Sequence, residues 1–194
     1  MKKLTSTAKI LDVIAKIFQI CSLIAVIMLL AAIILLTVFK TEAFEFSGSL
    51  ELGSFAFDLA FVSPDVMHRY FVCTAAPAAV VAAVLWLMLR TARTILAPMK
   101  EGRPFSSAVS CGLRTLSLTV LIGGALTQAM EGVAHWAMYR LFDFPALFLS
   151  QNITGCRFEF TLDTTFIIGF LILSMLSLAF RYGEELQQQS DETL

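Results

Sequence analysis

Four stretches of the chain contain no Asp, Glu, Lys, Arg or His: Ile17–Phe39, Tyr70–Leu89, Thr115–Met130 and Thr164–Phe180, of 23, 20, 16 and 17 residues. A helix rises 1.5 Å per residue, so about 20 residues cross a hydrocarbon core of about 30 Å. The first two runs are long enough alone. The third must begin near Cys111, with Arg114 snorkelling toward headgroups, or continue past Glu131; the fourth recruits Leu162 and Tyr182. The pattern therefore predicts spans at approximately 15–39, 64–92, 111–138 and 162–182. Between them lie outer loops 40–63 and 139–161, an inner loop 93–110 and a tail 183–194.

A different periodicity governs the loops. Phe44, Phe46, Leu50 and Leu52 alternate with polar or small residues, and after Gly53-Ser54 so do Phe55, Phe57, Leu59 and Phe61. Such alternation on both sides of a Gly-Ser dipeptide reads as a β-hairpin. Phe158, Phe160 and Leu162 repeat the pattern, which predicts a third strand, because a lone hairpin is marginal. The expected fold is an all-α transmembrane four-helix bundle with a small extracytoplasmic antiparallel β-sheet of about three strands, its Phe face a lid over the outer helix ends or a surface that meets a partner. Ser63-Pro64-Asp65 is a helix start. Pro77 predicts a kink, while Ala75, Ala79, Ala83, Gly123-Gly124 and Gly132 predict close helix approach. Leu96-Ala97-Pro98 ends the second helix, and a turn through Gly102-Arg103-Pro104-Phe105 precedes a cap at Ser106 or Ser107. The acidic, Gln-containing tail is expected to be solvated, as a frayed helix or a docking segment.

Composition agrees with the spans: 58% of the 194 residues are hydrophobic and only 15% charged, well outside the range of soluble domains. A net charge of −1 excludes a basic nucleic-acid binder. Charge placement sets the orientation. Ten basic and six acidic residues flank the spans on the side of the termini, against four and nine on the other. By the positive-inside bias, both termini and the 93–110 loop are expected in the cytoplasm. The first run is too long for a signal-peptide core and reads as a retained helix. Cys21 and Cys73 fall within spans, Cys111 lies near the inner face and Cys156 outside, so no intrachain disulfide framework is expected. Asn152-Ile153-Thr154 is a glycosylation sequon, relevant only in a host that glycosylates.

The four-span layout, the turn Gly102-Arg103-Pro104-Phe105 followed by Leu113-Arg114, and the tail Gly183-Glu184-Glu185-Leu186-Gln187 with Asp191, Thr193 and Leu194 together resemble the bacterial membrane proteins grouped as domain of unknown function 2975. Gln189 and Leu194 stand where an acid and Val are usual in that group. The resemblance implies a multi-pass protein of the bacterial cytoplasmic membrane without established catalytic activity, often encoded beside a small helix-turn-helix regulator. By that analogy Gly102, Pro104, Phe105, Arg114, Gly183, Leu186, Gln187 and Asp191 form a surface that binds a cytoplasmic transcriptional regulator.

The residues themselves carry no nucleophile-elbow, zincin, phosphate-loop or Cys-x-x-Cys motif, so no catalytic residue, enzyme activity or cofactor is assigned. Apart from Gln19 and Gln128 the spans offer mostly Ser and Thr, which bond back to their own helix. One outer constellation stands out: Asp65 and His68 are three apart, Glu131 and His135 four apart, at the outer ends of consecutive spans. If these ends touch, four ligands converge on a divalent metal or a pH-sensing site. Otherwise they are interfacial polar groups, with Trp136 and Tyr139 as belt residues. The expected function is a non-enzymatic membrane sensor or regulator that binds no nucleic acid directly. The alternative is a small transporter or channel subunit acting as a homo-oligomer.

Overall fold

The computed structural model describes residues 2–39, 47–52, 55–60, 64–102, 105–141 and 162–192. Four long helices dominate them: α1 (Lys2–Phe39), α2 (Pro64–Lys100), α3 (Ser107–Leu141) and α4 (Thr165–Glu192). All four are long and apolar enough to cross a membrane. What faces outward decides the solvent. Ile122, Met175 and Leu178 are 66%, 72% and 67% exposed, whereas Ser117 and Ser22 are 1% and 6% exposed. Apolar outside and small polar groups inside invert the pattern of a water-soluble domain and fit lipid, where helix interfaces favour small residues. The chain is a multi-pass membrane protein.

The expected fold class is corrected. The helices are present, but among the described residues no three-stranded sheet accompanies them. Strand pairing among the described residues is limited to a two-stranded ladder, β1 (Ser47–Leu52) with β2 (Phe55–Ala60), in which Leu52 is opposite Phe55 and Leu50 opposite Phe57. Two strands are too few to form a layer of a fold. Phe158 and Phe160, expected in a third strand, lie outside the described residues, and Leu162–Thr164 is irregular. The physical reason is at Asp163, whose Oδ1 accepts from the backbone N–H of Thr165 at 2.8 Å and draws this segment into the start of α4.

The helices also outrun the expected spans. α1 is 38 residues long and begins at Lys2, and α2 continues through Pro77 and Pro98 to Lys100. α4 continues to Glu192, so the tail is helical with residues 185–190 exposed. Lys9, Asp12 and Lys16 are accommodated within α1; they limit the apolar run and not the helix.

The chain divides into two compact units. The first comprises Met1–Val26, Val80–Ala129 and Leu162–Leu194. Its core is Ile95 of α2 with Val109 and Leu113 of α3, covered by Met99, Leu116, Leu173 and Phe180. Glycines allow this packing: a Cβ on Gly123 would stand 2.5 Å from Val84 of α2, and one on Gly124 would collide with Phe166 of α4. Adjacent residues of α3 thus admit two different neighbours. α1 joins through small residues, Ala8 and Ala15 being buried, and through Ser22, whose hydroxyl donates to the Ala82 carbonyl at 2.5 Å.

The second unit comprises Ile27–Ala79 and Met130–Thr161. Ala75 and Ala79 are buried there, at 4% and 8% exposure. Ala83, expected to continue their stripe, belongs to the first unit and is exposed. Arg140 stacks over Trp136 at 5.5 Å, a cation–π pair one turn apart.

Candidate functional site

The functional features of the first unit gather where α2 ends, α3 begins and α4 ends. After Lys100 the chain reverses through a turn in which the N–H groups of Glu101 and Gly102 donate to Pro98 and Met99. Gly102 has φ = 81°, the left-handed region that glycine enters without a Cβ penalty. Ser106 then caps α3 with its carbonyl, which accepts from Val109 and Ser110. Phe105, between turn and helix, crosses to α4. Its ring centroid is 5.6 Å from that of Phe180, and it lies over Gly183, where a Cβ would stand 2.8 Å from Cδ1. The turn and the tail helix therefore make one surface.

Of the residues expected on that surface, Phe105 and Gly183 are brought together, Gly102 lies in the turn beside Thr5 of α1, and Leu186, 49% exposed, and exposed Gln187 lie further along α4. Arg114 lines a neighbouring groove. Pro104 and the side chain of Asp191 lie outside the described residues.

The groove runs between α3 and α4 and has a volume of about 600 Å³. Two matched stripes line it. On α3, Ser107, Ser110, Arg114 and Ser117 recur at intervals of three, four and three; on α4, Ser174, Ser177, Arg181 and Glu184 repeat the same intervals. Helical periodicity places each set on one face. The helices run antiparallel, locked where Ser177 Oγ donates to the Ser110 carbonyl at 2.8 Å. Ser110 Oγ donates to the Ser107 carbonyl at 3.1 Å and lies 3.5 Å from a Glu184 carboxylate oxygen, and Arg181 meets Glu185 at 3.5 Å. Arg114 and Ser174 have no polar side-chain partner among the described residues. Leu118, Phe170 and Leu178 supply the apolar part of the lining. Sequence reasoning missed this site, although the repeated Ser-x-x-Ser-x-x-x-Arg spacing was a legible signal.

A second missed element is ionic. Asp12 of α1 accepts from Arg93 Nε at 3.1 Å and from Lys100 Nζ at 2.8 Å, and Arg93 Nη1 donates to Gln19 at 2.9 Å. Asp12 and Gln19 are seven residues apart on α1, Arg93 and Lys100 seven apart on α2. The equal spacing brings both pairs onto facing stripes of antiparallel helices. The other intramembrane glutamine, Gln128, accepts from the Asp163 N–H at 3.3 Å, so both span glutamines serve helix packing or capping.

Among the outer candidates, His68 Nε2 lies 3.2 Å from Thr37 Oγ1 of α1, whose hydroxyl also donates to the Ile33 carbonyl. Glu131 is half-buried and His135 exposed on α3, while the side chain of Asp65 lies outside the described residues. No group of three or more His, Cys, Asp or Glu that could hold a metal is found among the described residues. Cys21, Cys73 and Cys111 are free thiols, and Cys156 lies outside the described residues.

Asp163 sits beyond the start of α4 with its carboxyl held below the ordinary carboxylate range, first by the Thr165 hydroxyl and then by the Thr165 N–H. Its role is to fix a helix start. No protein-family model matches the chain, and no curated protein or solved structure matches it either.

Proposed function

We propose that this chain is a non-enzymatic regulatory protein of the bacterial cytoplasmic membrane, with both termini in the cytoplasm, that holds a cytoplasmic partner on its inner face. The partner suggested by the resemblance to domain of unknown function 2975 is a small helix-turn-helix regulator. The carrying observation is Phe105 seated on Phe180 and Gly183, which joins the turn after α2 to the end of α4 in one surface. Leu186, half-exposed one turn beyond Gly183, gives that surface an apolar contact point. The orientation is supported by the excess of Lys and Arg at this end.

A transporter or channel reading has less support. Gln19 is engaged by Arg93 and Gln128 by the start of α4, so neither is a spare group for a polar path.

The test is recovery of partners from gently solubilised membranes by the full chain and by a form ending at Tyr182. The proposal expects a cytoplasmic protein recovered only with the full chain. Equal recovery by both forms rejects the tail surface, and a reporter fused after Leu194 that lies outside the cell rejects the orientation.

A further inference from the structure

We propose that the groove between α3 and α4 binds the headgroup of an anionic phospholipid, with the phosphodiester on Arg114 and Ser174 and the acyl chains along Leu118 and Phe170. Most arginines at this end are already engaged. Arg90 stacks over Trp86 at 5.5 Å, Arg93 is neutralised by Asp12 and bonded to Gln19, and Arg181 meets Glu185. Arg114 is placed like Arg93, seven residues inside its helix end, about two turns and about 10 Å from it. Arg93 has an acid from α1; Arg114 is exposed and has no acid among the described residues.

A guanidinium at that depth facing lipid is costly unless an anion meets it or it reaches the interface. Its planar fork suits the two free oxygens of a phosphodiester. Ser174, one turn before Ser177 on the facing helix, offers a hydroxyl donor beside it. The remaining charges select the ligand. With Arg181 paired to Glu185, Arg114 is the groove cation that has no acid partner among the described residues, and a phosphodiester monoanion matches its single charge. Glu184 at the open rim repels a free phosphate dianion more strongly than a phosphodiester monoanion. The apolar lining continues past Arg114 to Leu118 and Phe170, in the direction an acyl chain takes and a soluble ion does not.

The experiment uses the full chain in nanodiscs of equimolar phosphatidylglycerol and phosphatidylcholine, extracted and read by native mass spectrometry. Phosphatidylglycerol should be retained about tenfold over phosphatidylcholine, and R114Q should lower that retention about tenfold. S174L, which fills the deep end without changing charge, should lower it as well, while R140Q at the opposite end of α3 should leave it unchanged. Circular dichroism on each variant separates lost binding from lost folding. Equal retention of the two lipids, unchanged retention in a folded R114Q, or an equal loss in R140Q overturns the proposal. So does displacement of the lipid by millimolar inorganic phosphate, which would mark a site for a free ion.

Discussion

The ring of Phe105 occupies the space that a side chain at Gly183 would need, with Cδ1 2.8 Å from where its Cβ would be. Because that ring is 47% exposed, it can swing aside. Gly183→Ala should therefore leave stability within about 1 kcal/mol, since helix propensity favours Ala by a similar amount. Partner recovery should nonetheless fall, because the turn and the tail no longer share a surface. Thermal unfolding beside pull-down separates the two effects; loss of stability with intact recovery would contradict the proposed role.

Gly124 presents the opposite case. Its Cβ would meet Phe166 at Cβ and Cγ, close to the α4 backbone, where no side-chain swing relieves the contact. Gly124→Val should cost about 1–3 kcal/mol by overpacking, measured by denaturant unfolding in detergent.

Asp12→Ala leaves Arg93 and Lys100 without their shared acid. The side chains are 17–33% exposed, so water screens part of the interaction. The expected loss is about 1–3 kcal/mol, the range for hydrogen bonds to charged groups. Asp12→Asn should lose much of the same amount, because an amide accepts one bond but carries no charge. Unfolding curves for both variants decide this.

Asp163 predicts a pH effect. Its folded carboxyl titrates below the unfolded value of about 3.9. The stabilisation it gives α4 is complete above that value and is lost as the pH falls through the lower folded one. Amide exchange at Thr165 should accelerate in that acid window, and Asp163→Asn should remove the pH dependence.

The spans were legible because lipid imposes a long apolar run, and Gly123-Gly124 was legible because close helix approach needs small residues. The helix ends were not: Lys2–Lys16 and Gly183–Glu192 are polar enough to leave lipid yet fully compatible with helix. The third strand was read from alternation up to Leu162 without the cap at Asp163, which makes Leu162–Thr164 the irregular lead into α4. The turn and the tail were both singled out, but Phe105 on Gly183 joins residues 78 apart, a register no local pattern carries. Asp12 was counted only as a charge, and Arg114 was read as snorkelling and as part of the turn surface. Their difference, one paired and one without an acid among the described residues, arises from which helix lies alongside.

Asp12 has a mechanical consequence as well. One carboxylate lies between two cations spaced seven residues apart on α2, while Gln19 holds the nearer cation from farther along α1. A stroke of α1 along α2 by a single helical pitch, about 5.4 Å, would unseat these contacts together. These contacts therefore resist sliding of the first helix along the second more than they resist movement of the two together.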